Sequence, residues 1–319
     1  MTVRAANSSA KTMPQQSLTY GGGWLDRASG SRTDPAWLAS KLASPGARII
    51  PMWRDQCLVT GESPIPVRLA ATEAAEVLAV AAEGPVFLGL DGPDGVFAVD
   101  LSALAVTRAV EVTGADRVLD VRALVGTLSP SEAASHAYAR GLLYWHRHQR
   151  FCGTCGGRTD TRDGGHLRVC PSADCARLFF PRIEPAVIVL IEAPEAPDRC
   201  LLAQHRGAPE GAYSLLAGFL EIGESLADAV RREVAEEAGV RLASVTYQDS
   251  QAWPFPAGLM VGFRAVAATE EISVDEDELV AARWFTRAEL RERVAAGHQL
   301  DRPDSIGRQL LQAWLDAGD

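Results

Sequence analysis

Gly218-Phe-Leu-Glu-Ile-Gly-Glu224-Ser-Leu-Ala-Asp-Ala-Val-Arg-Arg232-Glu233-Val-Ala-Glu236-Glu237-Ala-Gly239-Val240 is the stretch that decides what this chain is. Glu233, Glu236 and Glu237 stand at i, i+3 and i+4, so a helix here puts three carboxylates on one face within about one turn. Like charges crowded in this way cost stability. The cost is offset if divalent cations sit among them, because hard ions such as Mg²⁺ and Mn²⁺ take oxygen ligands and share them with phosphates. Gly218 and Gly223 permit a tight loop before the helix, Gly239 ends it, and Arg232 can pair with Glu224 to brace loop against helix. Leu226, Ala229, Val230 and Val234 supply an apolar stripe for burial.

Working outward, Ala186–Ile191, Cys200–Gln204 and Tyr213–Leu216 read as strands before this helix, and Met260–Ala267 and Arg283–Phe285 as strands after it. Thr286 with Glu289 caps a further helix, and Asp304–Leu315 carries a helical apolar stripe. Upstream, Ser129-Pro130-Ser131-Glu132 is a capping box opening a helix to about His148, near whose end Trp145, His146 and His148 read as packing and helix-dipole residues. From Trp24 to Arg122, apolar runs such as Ala47–Trp53, Val86–Leu90 and Val96–Leu101 alternate with Gly, Pro and Asp turns.

Four of the six cysteines form two close pairs, Cys152-Gly-Thr-Cys155 and Cys170-Pro-Ser-Ala-Asp-Cys175. Two such turns can converge on one tetrahedral Zn²⁺, and four thiolates leave no ligand position open, which makes the zinc structural. A redox pair fits less well because no βαβ pattern surrounds Cys152. Cys57 and Cys200 lie in apolar runs and read as core. The chain is thus expected to be α/β (α+β), with an α/β/α sandwich as its C-terminal domain. The expected parts are a disordered tail over 1–23, a mixed α/β domain over 24–128, a linking helix over 129–150, a zinc ribbon over 151–182 and the sandwich over 183–319.

The 319 residues carry a formal net charge of −10, which argues against a broad nucleic-acid grip, since that depends on clustered cations. No apolar run is longer than Ala186–Ile191, which is far short of the roughly 20 residues that cross a bilayer. The start of the chain has no signal-peptide block, and paired cysteines suit a metal in a reducing compartment, so the expectation is a cytoplasmic protein.

The Gly218–Val240 stretch resembles the Nudix box, Gly-x5-Glu-x7-Arg-Glu-aliphatic-x-Glu-Glu-x-Gly-aliphatic, at every fixed position. Downstream, Ser250-Gln-Ala-Trp253-Pro-Phe255-Pro-Ala-Gly258-Leu-Met260 is similar to the Ser-Gln-Pro-Trp-Pro-Phe-Pro-x-Ser array of NudC-type NADH pyrophosphatases, which also carry a zinc ribbon before the Nudix domain. From the residues alone that array suits either a base-binding cleft or a rigid packing turn. Ala252 and Gly258 depart from the array.

The resemblance implies metal-dependent hydrolysis of NADH or NAD⁺ to nicotinamide mononucleotide and AMP, NAD-capped RNA as a further substrate, and a homodimer. It implies catalytic Mg²⁺ or Mn²⁺ held by Glu233, Glu236, Glu237 and Glu278, and Zn²⁺ held by Cys152, Cys155, Cys170 and Cys175. It also implies substrate contacts from Phe219, Gln251, Trp253, Phe255, Met260, Glu278, Phe180 and Gly307. Which glutamate is the general base stays open. So do two other readings: a Nudix enzyme for another nucleoside diphosphate derivative, and a non-catalytic zinc-ribbon and Nudix interaction protein.

Overall fold

The computed structural model describes residues 18–22 and 24–318, which form two compact units. The first comprises Leu18–Glu184 together with Ala252–Leu259, and the second comprises Pro185–Gln251 and the chain from Met260 onward.

In the first unit, α1 (Pro35–Leu42) leads into β1 (Arg48–Trp53), β2 (Gln56–Thr60), β3 (Ile65–Pro66) and β4 (Leu69–Ala70). After α2 (Ala75–Val80) come the hairpin β5 (Val86–Asp91) and β6 (Asp94–Asp100), then α3 (Val106–Thr113) and β7 (Arg117–Asp120). The sheet order is β3-β2-β1-β6-β5, with β4 joined to β1 and β7 to β2. Strands β1 and β6 run parallel, Ile49 opposite Phe97, while the neighbouring pairs are antiparallel. The apolar runs expected over 47–53, 86–90 and 96–101 are these strands, and Cys57 is buried among them.

Helix α4 (Pro130–His148) starts at the expected box: the Ser129 side chain accepts from the Glu132 N–H, and Glu132 accepts from the Ser129 N–H. One apolar face of α4, with Ala139, Leu142, Leu143 and Trp145, packs on Ile50, Met52, Val86 and Leu88 of the sheet. The three-stranded ribbon β8 (Asp160–Arg162), β9 (Leu167–Val169) and β10 (Leu178–Phe179) follows.

Two buried polar residues tie the ribbon to α4. Arg168, 1% exposed, donates to His146 Nδ1 at 2.8 Å, to Thr159 Oγ1 at 2.8 Å and to Glu83 at 2.9 Å, and His146 Nε2 donates to Gly165 O at 2.7 Å. Burial lowers the His146 pKa to about 4, so it is a neutral brace rather than the dipole-stabilised cation expected at a helix end. The expected tail over 1–23 lies largely outside the described residues. Tyr20 within it is 4% exposed and packs against Ala133 and Ala137 of α4, so the packed chain begins before Trp24.

The second unit is the α/β/α sandwich. Its sheet runs β14 (Leu242–Trp253), β15 (Gly258–Ala267), β11 (Glu184–Glu192), β12 (Arg199–His205), β16 (Leu279–Thr286), with β13 (Leu216–Phe219) joined to β11. The strand expected at 213–216 is displaced toward the C terminus: Ser214 makes an isolated bridge to Ala203, and regular pairing begins at Leu216 opposite Val189. Helices α5 (Leu226–Ala238), α6 (Arg287–Ala295) and α7 (Ile306–Asp316) complete the unit. Val187–Ile191, Leu201, Leu216, Val230, Val234, Phe285 and Trp314 are buried, each large apolar side chain contributing about 1.5–3 kcal/mol. Cys200 lies in this core. Among the described residues no helix is long and apolar enough to cross a membrane.

Candidate active site

Helix α5 is the expected carboxylate helix. Ser225 and Asp228 form a reciprocal capping box at its start, and Gly239 takes φ 69° at its end, a left-handed conformation that side chains resist. Ala229, Val230 and Val234 are fully buried, but Leu226, expected in the same stripe, is exposed, because it opens the first turn at the solvent edge.

Arg232 gathers the helix face. Its guanidinium donates to Glu224 at 2.6 and 2.9 Å, to Glu236 at 3.0 Å and to the Phe219 carbonyl at 2.9 Å, and it lies 2.9 Å from Glu233. The expected Arg232–Glu224 brace is therefore present, and it holds the Glu224 carboxyl down at about 2. Gly218, opposite Val187 in the β13–β11 pairing, lies beneath Glu233, and a Cβ there would fall on the Glu233 carboxyl. Glycine is required at this point to let helix and strand close up.

Glu237 differs from its neighbours. It is 3% exposed, and its Oε2 is buried with no hydrogen-bond partner. Burial, then the negative charges of Glu233, Glu278, Asp275 and Glu236, raise its pKa to about 8. Burial likewise raises Glu233, against the pull of Arg232. The loop bearing Glu278 is tied to the helix end, since Ser273 N–H donates to Ala238 O at 2.9 Å and Asp275 N–H to Glu237 O at 3.0 Å. Phe219, at the end of β13, is 64% exposed.

The four cysteines of the ribbon converge. Their sulfurs all lie within 4.8 Å of one another, with Cys152 to Cys175 at 3.6 Å and Cys155 to Cys170 at 3.4 Å. A tetrahedral ion with Zn–S bonds of about 2.3 Å needs sulfurs about 3.8 Å apart, so the donor set fits zinc with small adjustment. Two tight turns build it: Cys152 N–H donates to Gly157 O and Gly156 N–H to Cys152 O at 2.8 Å, and Cys175 N–H donates to Ser172 O at 3.0 Å. Backbone N–H groups of Cys155 and Thr154 pull the Cys152 thiol down to about 6, toward the thiolate that metal binding uses.

The other expected substrate residues are placed differently. Gln251 is 1% exposed, and both ends of its amide serve the start of α7: Nε2 donates to Asp304 O at 2.7 Å and Oε1 accepts from Ile306 N–H at 2.8 Å. Gly307 is buried in α7, and a Cβ there would fall on Asp301 and come within 3.0 Å of Ile188. Met260 is half-buried on β15. Trp253 and Phe255 pack edge-on with each other and with Tyr20. The Phe255 ring lies between the guanidiniums of Arg122 and Arg140, each 4.8 Å from its centre, and Arg140 donates to Pro254 O at 2.6 Å. The array thus packs on α4 through these rings, and Ala252, Pro254 and Gly258 of the same turn line a pocket. Phe180 is exposed at the end of the ribbon.

Comparison with known proteins decides the family. Residues 46–145 match the NADH pyrophosphatase-like rudimentary NUDIX domain, 147–180 the NADH pyrophosphatase zinc ribbon domain and 182–303 the NUDIX domain. The NAD-capped RNA hydrolase NudC of Mycobacterium tuberculosis is 35% identical over 307 residues, 91% of this chain and 92% of that protein. The chain belongs to the NudC-type NADH pyrophosphatase family of Nudix hydrolases. The NAD-capped RNA hydrolase NUDT12 of Macaca fascicularis is 41% identical over 198 residues, 59% of this chain; the chain spans 43% of that relative's length.

Within this NADH pyrophosphatase fold the carboxylate face fits a hard divalent cation. Its donors are all carboxylate oxygens, and the buried, unpartnered Oε2 of Glu237 is an oxygen that a cation would satisfy. Asp275 was not anticipated from the sequence, although the run Asp275-Glu-Asp-Glu278 is a visible signal of concentrated negative charge. The Ser225 and Asp228 box was equally readable and equally missed.

Proposed function

We propose that this protein hydrolyses the diphosphate of NADH and NAD⁺, giving nicotinamide mononucleotide, reduced or oxidised, and AMP, and makes the same cut at the NAD cap of RNA. The observation that carries this reading is the Glu237 carboxyl: buried, without a partner, and surrounded by Glu233, Glu236, Asp275 and Glu278. Such a cluster has no structural benefit of its own and is favourable once cations and a diphosphate share it.

Glu233, Glu236, Glu237 and Glu278 would hold Mg²⁺ or Mn²⁺, which when bound supplies charge stabilisation to the phosphorus oxygens and makes a water more acidic. One of these carboxylates accepts the proton of the attacking water. Arg232 keeps Glu233 and Glu236 at fixed positions, and the exposed ring of Phe219 offers a face for nicotinamide or adenine. Glu237 and Glu278 sit at the end of α5 that Ser273 and Asp275 tie down, so the loop position sets how the cluster closes. Zinc in the ribbon is structural. A homodimer and a cytoplasmic location complete the proposal, resting on the family resemblance and on paired cysteines that suit a metal in a reducing compartment.

The test is incubation with NADH and Mg²⁺ or Mn²⁺, followed by chromatography for AMP and reduced nicotinamide mononucleotide. Metal-dependent appearance of both supports the reading. Cleavage of a nucleotide sugar or of ADP-ribose in its place would assign the box to another nucleoside diphosphate, and dinucleotide binding without turnover would leave the non-catalytic interpretation.

A further inference from the structure

A cavity of about 450 Å³ lies wholly within the first unit, under α4, and takes no part in the proposed reaction. Its volume is in the range of small-molecule sites, about 300–1,000 Å³. The walls are apolar and aromatic, with Ala134, Tyr138, Leu142 and Trp145 from α4 facing Trp24 and the array turn. That turn contributes Ala252, Pro254 and Gly258 to the lining.

Two features point to an occupant. The walls supply aromatic faces, from Tyr138, Trp145 and Trp24. At the rim stand Arg27 and Arg182, both exposed, and among the described residues neither has a carboxylate partner. The Arg27 guanidinium lies 3.5 Å from the centre of the Tyr138 ring, so a cation is held at the mouth by an aromatic face rather than by an anion of the protein. His166, also in the wall, is kept neutral by burial and bonds Tyr138 Oη, so the arginines are the cations here.

We propose that this cavity is a binding site for a small planar aromatic anion, its ring between the α4 wall and the array turn and its charge at the arginine rim. The ring alone would gain burial without using the rim, and an anion alone would gain charge without using the walls, so the two features together define the ligand class.

The experiment is titration of the full-length, zinc-loaded protein with naphthalene-2-sulfonate, followed by calorimetry and tryptophan fluorescence, beside naphthalen-2-ol and methanesulfonate. One saturable site per chain for the sulfonate, with at least roughly tenfold weaker binding of the two partial mimics, is the expected result. Arg27→Gln with Arg182→Gln weakens binding at least roughly tenfold. Ala134→Phe fills the cavity and abolishes binding. Glu237→Gln leaves it unchanged, because that carboxylate belongs to the other unit. The proposal is overturned if no saturable binding occurs, if both rim arginines can be replaced without effect, if a folded Ala134→Phe protein binds as before, or if Glu237→Gln abolishes binding. Should Ala134→Phe not fold, the rim variants carry the decision, since their side chains are exposed.

Discussion

The ribbon thiols and the carboxylates of α5 are both donor sets for a metal, and they are held in opposite ways. The four sulfurs already lie within 4.8 Å of one another, fixed by two backbone turns. The carboxylates are held by side-chain charge instead: Arg232 engages Glu233 and Glu236, Glu237 is buried unpartnered, and Glu278 rides on a loop. Donors closed by their own backbone suit an ion that never leaves. Donors that keep spare oxygens suit an ion that exchanges ligands with a substrate.

That contrast can be broken most forcefully at the ribbon. Cys170→Ser should reduce zinc from one per chain to almost none by elemental analysis and remove hydrogen-exchange protection across the ribbon strands, since structural zinc is worth about 10–16 kcal/mol in small domains. Full zinc retention would refute the four-thiolate site. Next in size, Glu237→Gln should lower kcat on NADH by about 100-fold or more while circular dichroism and zinc content stay at the wild-type level. Gly218→Ala places a methyl on the Glu233 carboxyl and should lower kcat roughly tenfold by displacing it, with little loss of zinc. Wild-type kcat in that variant would show that Glu233 tolerates displacement.

A fourth test follows from the titration of Glu237. Its pKa is raised from 4.5 to about 8, so the fold prefers the protonated form. The stabilisation is complete below a pH of about 4.5 and is lost as pH rises through about 8. Zinc-loaded protein without Mg²⁺ should therefore melt at lower temperature as pH increases across that window, Glu237→Gln should flatten the slope, and Mg²⁺ at the upper end should restore the loss. A slope unchanged in Glu237→Gln would assign the effect elsewhere. Smallest is Ser225→Ala, which removes the α5 cap and should cost about 1 kcal/mol by thermal melting without touching the ribbon.

What could be read from the sequence was local. The three-carboxylate face, the Gly239 stop, the Ser129 and Thr286 caps and the two cysteine knuckles each depend on residues a few positions apart, where periodicity and cap chemistry act. What could not be read was held by long-range contacts. The Gln251 amide is fixed at both ends by Asp304 and Ile306, more than fifty residues away. The Phe255 ring lies 4.8 Å from each of the Arg122 and Arg140 guanidiniums, which no local spacing connects to it. The charge environment of Glu237 depends on Asp275 and Glu278, which no helix rule connects to α5. The Nudix resemblance named the residues of the carboxylate face, while their protonation and bracing came from packing.

The array turn, 252–259, belongs to one unit although the strands on either side of it belong to the other. The polypeptide is therefore interleaved, and no single cut in the gene yields two self-sufficient halves. A fragment ending at Glu184 would leave Arg122, Arg140 and the α4 surface without the Phe255 ring that covers them, and should emerge as a sticky, aggregation-prone product. Exchange of the catalytic unit for another would have to preserve the fit of this turn against Tyr20, Arg122 and Arg140.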